Sequence, residues 1–401
     1  MKKFKWLFII IILLLVSGCW QYRELNDLAI VSAIGVDKID TEYLVTVQVI
    51  NTRKQSHTIQ AGEETTVTIY EAKGKSIQEA LNMISLECPK ELYLGHIDIV
   101  VIGEETARTG IKDYIDFFLR DREVRKIYPF VFAKGAMATD VLKILPPIII
   151  LPGTNLANMI ETADEINGVI SNRRFDNVLD CMYKRGRHAG VTAIEIVNQS
   201  EKGDSLDNLS ESKPKTKLMI TGPAVMRDDK LVGFLNNREG FGYNIIRKQV
   251  KRAVITFPCD KDNNYGSVTI DSPKVKLDTK IKNNKPFTSI KIDIASSLTS
   301  YNCKLDLSKD KNITKVENMI VKETESIIKD VIYAAQKIHK TDVLGFGEKI
   351  YQNYYKDWEK IEKNWDEIFP TVKYEIKVNA RINSIGSVIN PAPKGGEKND
   401  Y

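Results

Sequence analysis

Cysteine 19 carries the clearest chemical prediction in the sequence, a thiol that is acylated after export. A basic segment with three lysines precedes an uninterrupted apolar run, Trp6–Val16. This run can engage a translocon but is short for a bilayer span, which takes roughly 20 apolar residues. The small residues Ser17 and Gly18 then stand directly before the cysteine. We therefore expect a signal peptide at residues 1–18, cleavage before Cys19 and lipid attachment at that residue.

Two acyl chains on one cysteine make a stable membrane anchor, whereas a single chain is marginal. The expected product is thus an extracytoplasmic protein held on a membrane surface. Two other interpretations of the leader stay open: an ordinary signal peptide that ends at a cysteine, and an uncleaved apolar anchor.

The remaining residues show no motif of a known catalytic or metal site. The sequence has no phosphate-binding GxxxxGK[ST] loop, GxSxG elbow, HExxH pair or EF-hand loop. Its four histidines are scattered without metal-ligand spacing: His57, His96, His188 and His339. His96, before a predicted strand, is the most interesting of them, although hydrogen bonding to a turn is its simpler role. We expect no catalytic residue, no metal and no cofactor.

Two short patches have residue types that occur in binding sites. Arg120, Asp121, Glu123 and Arg125 follow a predicted helix, where basic side chains also suit the helix dipole. The glycines of Gly345-Phe346-Gly347 suggest a phosphate-binding loop, but this segment follows a predicted helix and has no Lys-Ser/Thr pair. A charged corner and a tight turn between helices are the simpler interpretations.

Four cysteines remain beyond Cys19, namely Cys88, Cys181, Cys259 and Cys303. Four cysteines allow three pairings, and the sequence does not choose among them. A chain of this size does not need disulfides, so buried free thiols are slightly favoured. Cys259–Cys303 is the expected bridge if one forms.

The composition is that of an ordinary globular protein with a sizeable core. Loss of the leader leaves about 383 residues and lowers the formal net charge from +5 to +2. Such a balanced charge gives no indication of nucleic-acid binding. The longest other apolar stretch, Ile144–Leu151, contains two prolines and is too short to cross a membrane.

The first half of the mature chain alternates strands and helices, which predicts an α/β or α+β region at residues 19–197. Strands are predicted at Ala29–Val36, Tyr43–Val49, Val67–Tyr70, Ile97–Ile102 and Ile127–Ala133. Helices are predicted at Ile77–Leu86 with Ser76 as its cap, Gly110–Leu119, Ala138–Ile144, Leu156–Ile166 and Phe175–Tyr183. A break between two subdomains near residues 145–153 is open.

Residues 198–217 are almost entirely polar and predict a linker and domain boundary. The following region, 218–389, is predicted to contain strands, then two long helices, then a last strand. The strands are Leu218–Met226, Leu231–Leu235, Ala253–Phe257, Ser267–Ile270, Lys274–Thr279, Phe287–Ala295 and Val372–Ile382. The helices are Ile313–His339 and Glu348–Trp365. The pattern favours a multi-domain α+β fold of mixed sheets with helices on one face, an antiparallel C-terminal sheet and a disordered tail at 390–401.

Several patches in the right order resemble the Ger(x)C family, the C subunits of nutrient germinant receptors in spore formers. They are Cys19-Trp20 with Arg23-Glu24-Leu25-Asn26, Ala33-Ile34-Gly35-Val36-Asp37, Leu94-Gly95-His96, Val101-Ile102-Gly103-Glu104-Glu105, Arg120-Asp121 with Glu123 and Arg125, Gly222 with Ala224-Val225, Leu231-Val232-Gly233 and Asp342-Val343-Leu344-Gly345-Phe346-Gly347. The resemblance spans nearly the whole chain. One departure is Gln21, where the family often has an acidic residue.

The resemblance implies a non-enzymatic lipoprotein subunit on the outer face of the spore inner membrane, beside integral-membrane receptor subunits. Lipid attachment at Cys19 is the one residue role that it transfers. It leaves open which nutrient is sensed and whether this subunit contacts it. His96, Arg120, Asp121, Glu123 and Gly345–Gly347 are candidate contact or structural positions.

Two alternatives come from other functional classes. A solute-binding lipoprotein of a nutrient transporter would have two similar lobes around a cleft, whereas the two halves here differ in layout. An exported enzyme, such as a wall hydrolase, would need an acid/base pair that the sequence does not name.

Overall fold

The computed structural model describes residues 24–51, 65–149, 151–170, 174–198, 203–205, 208, 212–259, 263–282 and 285–386. The predicted leader, Cys19 and the predicted tail at 390–401 lie outside these residues, as does part of the predicted linker. Among the described helices, none has the length and apolar character needed to cross a membrane.

Nine strands of the described chain form the first sheet, in the order β3-β2-β1-β5-β6-β7-β8-β9, with β4 also pairing with β1. They are β1 Leu28–Ile39, β2 Glu42–Ile50, β3 Val67–Gly74, β4 Glu91–Tyr93, β5 Ile99–Ile102, β6 Phe130–Lys134, β7 Gly190–Val197, β8 Lys217–Arg227 and β9 Lys230–Phe234. β5, β6 and β7 are parallel neighbours at the centre. Their apolar runs are buried on both faces, as interior parallel strands require.

Helices cover both faces of this sheet, rather than one face as predicted. They are α1 Ile77–Ile84, α2 Glu104–Thr109, α3 Lys112–Arg120, α4 Ala138–Lys143, α5 Pro152–Ile166 and α6 Phe175–Tyr183. α1, α3 and α6 pack with Val100 and Ile102 on one face. α4 and α5 pack with Ile99 and Val101 on the other. Successive side chains of a strand point to opposite faces of the sheet. Because β5 is apolar at every position, both faces of the sheet must be covered.

The strands after the predicted linker complete the first sheet instead of starting the second. β8 pairs antiparallel with β7, and β9 with β8. Thr221–Met226 is buried at every residue, and such continuous burial fits an interior strand covered on both faces. The boundary at 198–217 stays a prediction about domains, but the first sheet extends beyond it.

A second sheet is formed by β10 Arg252–Pro258, β11 Tyr265–Asp271, β12 Lys274–Lys282, β13 Lys285–Tyr301 and β14 Lys373–Ser384. Its strands are antiparallel except β14, which runs parallel to β13. The helices of this part are α7 Asn237–Ile246, α8 Asp310–Tyr333, α9 Phe346–Asn353, α10 Tyr355–Ile361 and α11 Trp365–Ile368. α8 packs its apolar stripe on the inner face of the sheet, so the α+β class is confirmed.

The second predicted long helix, Glu348–Trp365, is divided into three short helices. Tyr354 has φ −139° and ψ 55°, which ends α9 and starts α10. The turn brings Trp358 and Trp365 together in the core with ring centroids 5.5 Å apart. Aromatic burial thus outweighs the continuous helical spacing of the sequence.

Among the four cysteines that the structure describes, one pair is bridged. Cys259, after β10, forms a disulfide with Cys303, after β13. The slight preference for free thiols was therefore wrong for this pair, whereas Cys88 and Cys181 are free and buried.

Candidate functional site

The Arg120–Asp121 patch borders a cavity of about 660 Å³ on the first sheet's body. Its walls come from Tyr43 on β2, the N-terminal end of α1 with the two residues before it, and one side of α3 with the loop after it. Amphipathic packing positions α3, since Tyr114, Ile115 and Phe118 are buried while its charged side chains face solvent.

The cavity combines both signs of charge with an aromatic floor. Tyr43 Oη donates to Asp113 Oδ2 at 2.6 Å. Burial, and then this hydrogen bond, raises the pKa of Tyr43 above its usual range. Arg120 Nε donates to Asp116 Oδ2 at 2.8 Å, which lowers the pKa of Asp116. Lys75 and Arg122 complete a rim that suits a polar ligand or a charged partner segment.

Asp121 lines the cavity and also shapes the loop that follows α3. Its Oδ1 accepts the backbone N–H of Glu123 at 2.8 Å and of Val124 at 3.1 Å. This Asx-type turn directs Val124 into the core. His96 and Glu123 do not line the cavity; His96 is exposed, with its ring 5.6 Å from that of Tyr93.

Gly345, Phe346 and Gly347 wrap around a buried carboxylate elsewhere in the molecule. Asp342 accepts the backbone N–H groups of all three residues, at 2.7, 3.1 and 2.8 Å, and the indole N–H of Trp365 at 3.0 Å. Burial raises the pKa of Asp342. The glycine at 345 adopts φ +85°, a left-handed conformation that glycine adopts without a steric penalty. The loop is a structural turn around Asp342, and no phosphate is needed to explain it.

This turn forms a junction between the two parts of the chain. We use "junction" for Arg185–His188, which follows α6, together with Asp342–Glu348. Gly186 and Gly347 approach so closely that a Cβ on Gly347 would lie 2.7 Å from the carbonyl oxygen of Gly186. The backbone N–H of His188 donates to the carbonyl of Asp342 at 2.9 Å.

Buried charges hold the junction together. Arg187 Nη1 and Arg247 Nη1 both reach Glu348 Oε2, at 3.1 and 3.3 Å. Arg187 Nη2 also contacts Cys181 Sγ at 3.2 Å and Asp180 Oδ2 at 3.5 Å. Arg187, Arg247 and Glu348 carry no signal in the sequence, because no local pattern links residues so far apart.

The structure therefore brings Arg120 and Asp121 to one cavity and Gly345–Gly347 to the junction, while His96 and Glu123 lie outside both. Within the described residues, no group of three or more His, Cys, Asp or Glu side chains is arranged to hold a metal ion.

Comparison with known proteins identifies the family. The family model described as "Spore germination protein N-terminal domain" matches residues 21–196, and "Spore germination B3/ GerAC like, C-terminal" matches residues 221–386. The chain belongs to this family of spore germination proteins. The resemblance found in the sequence is thus confirmed.

Relatives in the family match almost end to end. Spore germination protein KC of Bacillus subtilis is 29% identical over 385 residues, with 94% of each chain covered. Spore germination protein B3 of the same organism is 23% identical, covering 94% of this chain and 96% of its own. The crystal structure of the GerBC protein shares the fold, with TM-score 0.56 and 20% identity over 87% of this chain and 96% of that one. Family membership supports a role in spore germination.

Proposed function

We propose that this chain is a lipid-anchored, non-enzymatic subunit of a spore nutrient germinant receptor. It acts on the outer face of the spore inner membrane through contacts with membrane-embedded partner subunits. The observation that carries the proposal is the match of both family domains, in order, together with relatives that align over 94% of the chain. Lipid attachment at Cys19 rests on the sequence of the leader.

The geometry of the described residues fits a contact role. Neither the cavity beside Arg120 nor the junction combines a nucleophile with a neighbouring general base, which an acyl-transfer or hydrolytic site would need. Two sheets of different topology also make poor counterparts of the paired lobes expected for the solute-binding alternative. The exposed, charged rim of the cavity is the candidate surface for a partner contact.

The test is germination of spores that lack the gene, complemented with wild type, Cys19→Ala or Cys88→Ala, across a panel of nutrients. Cys88 is buried and free, so its variant controls for loss of a cysteine as such. Wild type and Cys88→Ala should restore the response to particular nutrients, while Cys19→Ala should restore it poorly at a matched protein level. Full rescue by Cys19→Ala would contradict the lipid anchor.

Normal germination of the deletion strain to every nutrient would contradict the receptor role itself. In that case, binding of a nutrient by the isolated mature chain would favour the solute-binding alternative.

A further inference from the structure

The outer face of the second sheet places three lysines side by side on three adjacent strands. Lys276 on β12 is directly opposite Lys291 on β13, and Lys291 is directly opposite Lys377 on β14. All three side chains are exposed, whereas the alternate residues point into the core. The period of two along each strand makes this face regular, because every second residue of β12, β13 and β14 contributes to it.

Neighbouring rows add more positive charge. One row reads Lys280, Phe287 and Lys373, and another pairs Lys282 with Lys285. With Lys274, these rows contain eight lysines against three acidic residues on the same face: Asp278, Asp293 and Glu375. We call this surface the lysine face. A shallow cavity of about 300 Å³ on it is lined by four of the lysines.

The acidic residues compensate the lysines only in part. Lys280 Nζ lies 3.3 Å from Asp278 Oδ2, and Lys291 Nζ lies 3.7 Å from Asp293 Oδ2. The face keeps a surplus of five positive charges, although the whole mature chain carries only +2. The rest of the chain is therefore net negative. Such an asymmetric molecule orients in an electric field and presents the lysine face to an anionic surface.

Protection of sheet edges does not explain the arrangement. Lysines on edge strands discourage pairing with other chains. Lys291, however, lies on β13, which has β12 on one side and β14 on the other. Like charges directly opposite each other destabilise a sheet. A row of three at an interior position thus has a cost that folding alone does not require.

We propose that the lysine face docks on an anionic lipid membrane. The surface is built on regular strands, and its charge is carried by lysines, which act as flexible point charges without fixed geometry. These features suit a plane of lipid headgroups better than a single shaped acidic segment. Phe287 lies in the middle of the face with Lys282 Nζ 4.2 Å from its ring centroid, and it offers an aromatic contact at headgroup depth.

The inference deepens the proposed function in one respect. A lipid on Cys19 would hold the chain close to the membrane, and the lysine face would then set the orientation of the second sheet on it. Each lysine near an anionic surface strengthens binding roughly fivefold, an effect that fades within a Debye length of about 8 Å at physiological salt.

The experiment uses the mature chain, residues 19–401, with Cys19→Ser so that no lipid is attached. Its binding to vesicles of phosphatidylglycerol and phosphatidylcholine is compared with binding to phosphatidylcholine alone, at low and at physiological salt. The test variant is Lys276→Gln/Lys291→Gln/Lys377→Gln. The control is Lys315→Gln/Lys322→Gln/Lys329→Gln, which removes the same charge from the exposed side of α8, on the opposite side of the sheet.

The parent chain should bind the anionic vesicles in a salt-dependent manner and not the neutral ones. The lysine-face variant should bind at least tenfold more weakly, and the α8 variant should lose less than about twofold. No binding of the parent to anionic vesicles, or equal losses in the two variants, would overturn the proposal. Because no lipid is attached to the protein, this result is independent of the germination test of Cys19.

Discussion

Arg187 and Glu348 are separated by 161 positions in the sequence, yet their side chains form an ion pair at 3.1 Å in the interior of the junction. Each side chain is less than a tenth exposed. Arg247 reaches the same carboxylate oxygen at 3.3 Å. Two arginines, one after α6 and one after α7, thus share one glutamate where the first-sheet region meets the second part of the chain, and Asp180 is a second, more exposed partner of Arg187.

We expect Glu348→Gln to lower the free energy of unfolding by about 3 kcal/mol, because it leaves two guanidinium groups in a buried setting without their shared carboxylate. Arg247→Gln should cost less, since Arg187 still pairs with Glu348. Urea unfolding of the mature chain measures both changes. Arg108→Gln is the matched control, because its pair with Glu104 is partly exposed and contributes at most ~0.5 kcal/mol. Equal losses for Glu348→Gln and Arg108→Gln would contradict this role of the junction.

A second prediction concerns Asp37, at the end of the buried part of β1. Its carboxylate accepts the backbone N–H groups of Ala138 and Thr139 at the start of α4, at 2.8 and 3.0 Å. Burial outweighs these bonds and raises the pKa of Asp37 from 3.8 to about 6. The folded chain therefore binds this proton more tightly than the unfolded chain, so Asp37 lowers stability as the pH rises from about 4 to about 6.

The asparagine side chain of Asp37→Asn resembles the protonated acid but does not titrate, so the variant lacks this pH dependence of stability. The stability of the variant relative to wild type should increase by about 2.4 kcal/mol between pH 4 and pH 7. Urea unfolding of both proteins at pH 4, 5, 6 and 7 measures the difference, in which the other titrating groups cancel. A difference that stays constant over this range would show that the carboxyl group keeps an ordinary pKa.

The sequence predicted those parts of the fold that depend on neighbouring residues. Ser76 accepts the N–H of Glu79 at 3.1 Å, as the capping pattern indicated. β1 and β2 pair around the predicted turn, where Asp40 adopts φ +55°. α7 was missed, although Asn236 and Glu239 form a capping box that could have indicated its start.

Long-range relationships could not be predicted in the same way. β8 and β9 have the alternation of any hairpin, and nothing local shows that β8 pairs with β7 rather than with β10. Asp342 is a second example. The sequence shows that it lies close to Gly345–Gly347, but its hydrogen bond from Trp365 forms only because the predicted last helix is divided into shorter ones. Arg120 was found because charge is visible in sequence, whereas the cavity beside it requires Tyr43 from another strand.

Gly347→Ala should destabilise the junction by about 1–3 kcal/mol, because an added Cβ would lie 2.7 Å from both the Gly186 carbonyl oxygen and the Trp365 ring. Both neighbours are held by the surrounding core and have little room to shift. Gly135→Ala is the control: its φ is +68° but the added Cβ meets nothing within 4 Å. Its loss of ~1–2 kcal/mol comes from the left-handed conformation alone, so it should be the same with Trp or Phe at position 365. Thermal unfolding compares them, and removal of the Trp365 contact by Trp365→Phe should reduce the cost at 347 if steric crowding is its cause.

The lysine face gives a prediction in which stability and binding change in opposite directions. Lys291→Glu places an acidic side chain between Lys276 and Lys377, so two repulsive cross-strand pairs become attractive. The free energy of unfolding should rise by roughly 0.5–1 kcal/mol, while binding to anionic vesicles weakens. Asp293 is the carboxylate that pairs with Lys291, and Lys291→Glu/Asp293→Asn removes its repulsion as a control. Urea unfolding and vesicle sedimentation of the same preparations measure the two effects. A gain in stability together with weaker vesicle binding is the result expected of a surface selected for membrane contact. A variant that is both less stable and weaker in binding would instead indicate that Lys291 stabilises the sheet.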